Sequence, residues 1–351
     1  MAVTDEISVG VIGCGRSAVF GHLPAIGKLD GLFRVTAVCD TEKLRRDHVE
    51  SMFPEVRHYR RAVDMVDDPD LELVLVSTPS LEHDKIVLDC LSRKLWTVCE
   101  TPVSPTHEGA IVLRGASVKA SNRLIAATPQ IFSPEFRLAS AARAKRKLGN
   151  LYDIRIRKGT YERRDDWQAT TKRCGGASFF AAQDVVLQAL MLLDAPPVQM
   201  WSETKKLVAL GDAEDYVRLI LRNADGVTAD VEANCAVVGM GAPAIELRGT
   251  RGSFSVMPGE SKGVYRIVDP AQRFPHKRSS VALPPLKDSA EKIRIAEECL
   301  ELSDPMPAYE AFWSAVHATV RSGRPFPVDF DLVVEMARYL GIVRKSVPIA
   351  I

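Results

Sequence analysis

Hydrophobic positions in the first 130 residues form short runs that alternate with longer amphipathic stretches. The runs are almost continuously apolar, which is typical of parallel strands covered on both faces. We predict strands at Ile7–Ile12, 34–39, 73–77, 96–99 and Leu124–Ala127, and helices at 18–28, 41–53, 83–94 and 106–120. This alternation predicts an α/β fold, a doubly wound parallel sheet with helices on both sides.

The pattern changes after residue 128, where strands begin to follow one another directly. We predict strands at 151–157, 198–207, 216–222, 227–236, 244–248 and 253–256, helices at 177–193, 309–322 and 331–346, and an irregular segment at 258–289. Successive strands with few helices indicate an α+β domain with an open, mainly antiparallel sheet. The chain therefore divides into domains at 1–128 and 129–351, and the last helix could pack back on the first domain.

Composition narrows the functional classes. A chain of 351 residues with a net charge of +1 has no global field that would attract nucleic acid or an acidic membrane. No apolar run approaches the roughly 20 residues of a membrane span. The first residues show neither a basic start nor a long apolar stretch, so we expect a cytoplasmic protein whose partner is a small-molecule substrate.

Seven cysteines occur without any CxxC pair and without a Cys/His spacing suited to zinc. Most lie in apolar runs. We therefore expect free, buried thiols and no metal site.

A glycine loop joins the first predicted strand to the first predicted helix, with the sequence Gly13-Cys14-Gly15-Arg16-Ser17-Ala18. Gly13 allows a tight turn, Gly15 lets a pyrophosphate approach the backbone, and Ala18 permits close helix–strand packing. The free N–H groups at the start of the helix face the phosphates. The loop predicts a Rossmann domain that binds a nicotinamide dinucleotide.

Asp40 ends the second predicted strand, where a carboxylate can accept hydrogen bonds from the adenosine ribose. The same charge would repel a 2′-phosphate, so Asp40 favours NAD over NADP. Arg45 and Arg46 lie nearby and weaken this preference. The alternative is an ordinary strand–turn–helix with a solvated aspartate.

The chain resembles the Gfo/Idh/MocA oxidoreductases, named for glucose–fructose oxidoreductase and inositol dehydrogenase. The similarity rests on the order and spacing of short motifs at 13–18, 22–25, 77–80, 99–102, 133–136, 147–149, 175–177, 249–253 and 344–346. It implies an NAD- or NADP-dependent enzyme acting on a sugar or cyclitol. It also implies a homodimer or homotetramer assembled through the second sheet.

The resemblance implies roles for several further residues. Thr78, Pro79 and His83 would line the nicotinamide end, and Glu100 and Thr101 would form the turn after the fourth major strand. Gln130 would lie at the crossing between domains. Without the family context, His83 is more simply a core or helix-face histidine.

The departures from the family pattern affect the catalytic residues. Thr101 stands where the family usually has lysine, and a threonine has no charge with which to hold a substrate hydroxyl. Phe180 and Asp184 occupy the positions of the usual aspartate and histidine, Leu187 replaces a further aspartate, and Ile131 replaces an arginine.

Asp184 is our first candidate for acid–base chemistry, because an apolar pocket around it would favour a protonated acid. The equal alternative is that Asp184 pairs with a cation at the domain boundary. Tyr161 as a proton donor and Lys172 as a replacement cation are further candidates, although a mixed-charge loop is more often solvated.

Two functions remain open from the sequence. The chain could be an oxidoreductase with an altered acid–base set. Alternatively, it could be a catalytically inactive dinucleotide- or sugar-binding regulator, or a structural homologue, that retains the glycine loop. The persistence of an acidic residue at the site favours the enzyme.

Overall fold

The computed structural model describes residues 5–239, 241–273, 292–303, 306–345 and 349–350. Two sheets organise the chain, one parallel with six strands and one mixed with nine. The sequence-based fold class is therefore confirmed.

The parallel sheet has the strand order β3-β2-β1-β4-β5-β6, the order of a dinucleotide-binding Rossmann fold. Its strands are β1 (Ile7–Ile12), β2 (Phe33–Cys39), β3 (Arg57–Tyr59), β4 (Leu73–Val76), β5 (Trp96–Glu100) and β6 (Leu124–Ala127). The sequence did not predict β3, because three residues with two exposed side chains show no hydrophobic pattern.

Helices cover both faces of this sheet, as the apolar strands require. They are α1 (Leu23–Lys28), α2 (Lys43–Met52), α3 (Ala62–Met65), α4 (His83–Ser92) and α5 (His107–Lys119). The predicted helix at 18–28 begins with a π-helical turn, Ala18–His22, before continuing as α1.

The second sheet is ordered β14-β13-β12-β11-β7-β10-β9-β8-β15. Its strands are β7 (Leu151–Gly159), β8 (Pro197–Lys206), β9 (Tyr216–Asn223), β10 (Thr228–Asn234), β11 (Ile245–Gly249), β12 (Gly252–Val256), β13 (Lys262–Val268), β14 (Ile295–Glu301) and β15 (Ile349–Ala350). Neighbours are antiparallel except at β7/β10 and β8/β15. Helices α6 (Pro134–Ala144), α7 (Ala177–Phe180) and α8 (Ala182–Leu193) pack on one face.

The structure corrects three expectations for this region. The segment predicted as irregular contains β13, whose alternate residues Gly263, Tyr265 and Ile267 face the core. The remainder of that segment from residue 274 lies outside the described residues. The predicted helix at 177–193 is interrupted at Ala181, which separates α7 from α8. Helix α6 and strand β14 were not predicted.

The C-terminal helices return to the first domain. Helix α9 (Ala308–Ser322) buries Phe312, Trp313 and Val316 in one hydrophobic cluster with β1 and β2. Helix α10 (Phe330–Val343) packs between α5 and α8. Within the described residues, no single helix is long and apolar enough to cross a membrane, and only the bent pair 171–180 and 182–193 passes such a test.

Candidate active site

A cleft of about 810 Å³ lies at the carboxyl ends of the parallel strands, where Rossmann folds bind their ligands. All residues that the sequence predicted for the cofactor line it except Ala18, which is fully buried and packs beneath the loop. The second domain closes the cleft with residues from β7, α7 and α8. A smaller cavity lined by Lys158, Tyr309 and others continues from it.

The glycine loop is held by the strands on either side of β1. Gly13 donates its N–H to the carbonyl of Cys39 at 2.8 Å and has φ of +91°. A Cβ at Gly13 would lie 2.5 Å from the carbonyl oxygen of Ser77, so only glycine fits. A Cβ at Gly15 would meet no atom within 4 Å, which leaves that face of the loop open to a ligand.

Asp40 makes hydrogen bonds to the protein backbone that its position in the sequence does not predict. One carboxylate oxygen accepts the N–H of Cys14 at 3.0 Å, and the other accepts the N–H of Glu42 at 2.9 Å. Its side chain is only 8% exposed. Asp40 therefore fixes the glycine loop as well as facing the adenosine end of the cleft.

A buried chain of hydrogen bonds runs from helix α9 to Glu100, the last residue of β5. The indole N–H of Trp313 donates to Nδ1 of His22 at 3.1 Å. Because an indole nitrogen only donates, the His22 ring proton lies on Nε2, which is 2.9 Å from Glu100 Oε1. The hydroxyl of Ser17 also donates to this oxygen.

Glu100 is therefore a carboxylate held from two sides. Burial alone would raise the pKa of the Glu100 carboxyl, but contact with His22 and Ser17 outweighs it and keeps the pKa below its usual value. An ionised Glu100 gives this end of the cleft a fixed negative charge, which favours positive charge on a ligand there.

His83 has a structural role. Its ring nitrogens lie 2.8 Å from the carbonyl oxygen of Thr78 and 2.9 Å from that of Pro102, and the residue is 1% exposed. His83 thus connects the loops after β4 and β5, which carry Thr78 and Thr101 at the cleft wall. It is a core histidine that also lines the cleft wall.

Lys158 is a cation that the second domain contributes to the cleft wall. On β7 the side chains of Ile154, Ile156 and Lys158 point to the same face, toward α8. Lys158 Nζ lies 2.6 Å from Asp184 Oδ2, and both residues line the cleft. Asp184 holds the pKa of Lys158 above its usual value, although burial acts in the opposite direction.

Asp184 lines a cleft that also carries the apolar rings of Phe179 and Phe180, as one interpretation expected. The structure also shows the alternative, an ion pair at the domain boundary. The sequence analysis missed Lys158 because it named Lys172 as the replacement cation. Alternation along β7 was the signal that could have placed Lys158 on the inner face.

Tyr309, at the start of α9, is a second residue that sequence analysis missed. It lines both cavities. Its ring is so close to the π-helical turn that a Cβ at Gly21 would lie 2.6 Å from Tyr309 Cζ. Burial, with the negative charges of Glu100 and Asp184, raises the pKa of Tyr309. The hydroxyl therefore stays protonated at neutral pH and can donate.

Two predicted catalytic residues lie outside the cleft. Tyr161 is 54% exposed and pairs with Ala236 in an isolated β-bridge. Lys172 is exposed in a 3₁₀ turn. Neither lines either cavity, although their loop reaches both cavities through other residues, among them Gln168.

The crossing between domains is held by Gln130, whose carbonyl oxygen accepts the side-chain N–H of Gln188 at 2.9 Å. Arg16 remains largely exposed on the loop and lies 3.5 Å from Glu162. These contacts connect the walls that the two domains contribute.

Among the residues that the structure describes, one group of potential metal ligands lies away from the cleft. Asp47, Glu50 and His58 bring one ligand atom each within 4.8 Å of one another, but Asp47 pairs with Lys43 at 2.7 Å and His58 with Glu50 at 3.4 Å. The group is mostly exposed, and nothing else there points to an ion.

Family models match both parts of the chain. Residues 7–128 match a model described as an oxidoreductase family with an NAD-binding Rossmann fold, and residues 136–255 match the GFO/IDH/MocA C-terminal domain. The chain belongs to the Gfo/Idh/MocA family. Its members include NAD-binding oxidoreductases, which agrees with the resemblance found in the sequence.

Curated relatives carry related names. An uncharacterized oxidoreductase of Schizosaccharomyces pombe is 25% identical over 71% of this chain and 70% of that protein. A scyllo-inositol 2-dehydrogenase (NADP(+)) of Bacillus subtilis is 31% identical, over 33% of this chain and 31% of its own length. The alignments with the inositol dehydrogenases thus span about a third of each protein.

Solved structures share the whole fold at low identity. An oxidoreductase of Thermotoga maritima superposes with a TM-score of 0.79 at 17% identity, covering 97% of both chains. The WlbA dehydrogenase of Bordetella pertussis, solved with NADH and UDP-GlcNAcA, gives 0.75 at 16% identity over 97% of this chain and 95% of its own. These similarities establish the fold only.

Proposed function

We propose that this protein is a nicotinamide-dinucleotide-dependent oxidoreductase that acts on a small carbonyl or alcohol of the sugar or cyclitol type. The observation that carries the proposal is the Lys158–Asp184 ion pair, 2.6 Å long, which reaches into the Rossmann cleft from the second domain. Lys158, on β7, provides a cation in place of the lysine that Thr101 replaces after β5.

The residues of the cleft suit a dinucleotide. Gly15 leaves open space beside the first N–H groups of the helix, where a pyrophosphate would bind. Asp40 lies at one end of the cleft and Glu100 at the other, as the adenosine and nicotinamide halves require. When bound, the coenzyme supplies the hydride acceptor or donor.

Two donors are available for the substrate oxygen. The Lys158 ammonium stays charged because of Asp184, and the Tyr309 hydroxyl stays protonated because of burial. Hydrogen bonds from both would stabilise negative charge on an oxygen during carbonyl reduction. In the oxidative direction, the Lys158 ammonium would donate a hydrogen bond to the substrate oxygen, and the Asp184 carboxylate would accept the hydroxyl proton.

The substrate class is supported by the relatives, whose names include inositol dehydrogenases and a dehydrogenase bound to UDP-GlcNAcA. The test is to screen myo-inositol, scyllo-inositol, aldoses and UDP-sugars for oxidation with NAD and NADP. Lys158→Met should lower kcat by about 100-fold or more, since one lost donor to a developing oxyanion costs that much.

The matched control is Lys172→Met, which removes an exposed lysine outside the cleft. Its kcat should stay within about twofold of the parent, as for a surface change. Equal kcat values for the two variants would contradict the proposal.

The second candidate is a binding protein without catalysis, and the observation that favours it is the uncharged Thr101 in the cleft wall. A regulator would bind the coenzyme tightly and turn over no member of the panel. Detectable turnover that depends on Lys158 would exclude it.

We further propose that the chain forms a homodimer or homotetramer through the outer face of the second sheet. That face carries cross-strand or neighbouring ion pairs, among them Arg218–Asp230 at 2.8 Å and Arg248–Glu246 at 2.9 Å. A face with both charges can be complementary to a second copy across a two-fold axis. Light scattering should report a multimer that Arg218→Glu dissociates.

A further inference from the structure

The adenosine end of the cleft carries a group of cationic side chains that the sequence pattern did not place together. Strands β2 and β3 are parallel and paired at Cys39 and Tyr59, so the residues that follow them emerge side by side. Arg60 and Arg61 follow β3, whereas Asp40 follows β2. Arg45, from the first turn of α2, completes what we call the arginine cluster: Arg45, Arg60 and Arg61, all lining the cleft.

These arginines retain donors that a ligand could use. Arg45 is 58% exposed at its side chain, and Arg61 is 68% exposed and pairs with the exposed Asp64 at 2.9 Å. Among the residues that the structure describes, Arg60 has no carboxylate within 4.0 Å. A guanidinium keeps its charge at all relevant pH values and binds phosphate through paired N–H groups.

Asp40, the residue that favours NAD from the sequence, is less able to repel a phosphate than expected. Both of its oxygens accept backbone N–H groups, from Cys14 and Glu42. Arg45 lies 3.8 Å from Asp40 Oδ2 and offsets its charge. The local balance at this end of the cleft is therefore positive.

We propose that the arginine cluster binds the 2′-phosphate of the adenosine ribose, so that the protein binds NADPH at least as tightly as NADH. The inference rests on the proposed function, since it requires a dinucleotide in this cleft. This proposal reverses the preference for NAD over NADP that Asp40 alone suggests. A phosphate of nearly two negative charges gains contacts here that the ribose hydroxyl of NADH cannot make.

The test is a fluorescence titration of the full chain with NADPH and with NADH, at low and at raised ionic strength. We expect the double variant Arg45→Ala/Arg60→Ala to weaken NADPH binding about tenfold or more, the loss of at least one charge-assisted hydrogen bond. NADH binding should change by less than about twofold. Raised salt should weaken NADPH binding more than NADH binding.

Lys43→Ala is the matched control, because Lys43 is an exposed cation on the same helix that pairs with Asp47 and does not line the cleft. It should leave both affinities unchanged. Competition by 2′,5′-ADP against 5′-AMP isolates the phosphate contribution, and the double variant should abolish the advantage of 2′,5′-ADP.

NADH binding tighter than NADPH binding would overturn the inference and leave the proposed function intact. Equal losses for the two coenzymes in the double variant would also overturn it, because they would indicate stacking on adenine rather than phosphate binding. If neither coenzyme binds, the proposed function itself fails.

Discussion

The two halves of the cleft are held in place in different ways. The pyrophosphate half depends on one short loop, in which contacts with neighbouring strands fix Gly13, whereas Gly15 faces open space. The nicotinamide half combines Glu100, Lys158 and Tyr309 from three distant parts of the chain. The first half therefore depends on local backbone conformation, whereas the second depends on charges brought together by domain packing.

Substitutions at the two loop glycines should separate folding from binding. Gly13→Ala places a methyl group 2.5 Å from a backbone oxygen at positive φ, which we expect to cost roughly 2–4 kcal/mol of unfolding free energy. Gly15→Ala should leave stability within about 0.5 kcal/mol, because the methyl group meets no protein atom.

The same Gly15→Ala variant should nevertheless weaken coenzyme binding about tenfold or more, since its methyl group occupies the space left for the pyrophosphate. Urea unfolding of both variants measures their stability, and coenzyme titration measures their affinity. A destabilised Gly15→Ala, or one with unchanged coenzyme affinity, would show that the loop does not work as described.

Substitutions in the nicotinamide half of the cleft should lower kcat and leave coenzyme affinity nearly unchanged. Asp184→Asn removes the charge that holds the pKa of Lys158 above its usual value. The alkaline limb of the kcat profile should therefore move to lower pH, and kcat should fall about tenfold or more. Coenzyme affinity should stay within about twofold. Full activity with an unshifted profile would remove Asp184 and Lys158 from the mechanism.

Substitution of Glu100 should have a smaller effect, which we expect in the free energy of unfolding. Its pKa is lowered in the folded state, so its ionised form stabilises the fold above the unfolded value of about 4.3. That contribution is lost as pH falls through the folded pKa. Glu100→Gln should therefore be less stable than the parent at pH 7 in urea, and the difference should shrink on acidification. A constant difference would contradict the assignment.

The sequence predicted the first half of the cleft better than the second for a physical reason. Gly13, Gly15 and Asp40 act within one βαβ unit, whose geometry follows from local spacing. Lys158 and Asp184 meet only after β7 packs on α8, so neither position alone indicates the pair.

Short or exposed elements account for other misses. Strand β3 has three residues and no hydrophobic alternation, yet it determines where Arg60 and Arg61 emerge. Strand β14 alternates exposed and half-exposed residues at a sheet edge, which hides it from a search for apolar runs. Helix α6 did carry a signal, because Ser133 caps it and Pro134 starts it.

The most direct test of the account is a crystal structure of the full chain grown with saturating coenzyme. We expect the pyrophosphate against the N–H groups that follow Gly13 and the nicotinamide between Thr101 and the Lys158–Asp184 pair. A coenzyme bound elsewhere, or a nicotinamide ring turned away from Lys158, would contradict it.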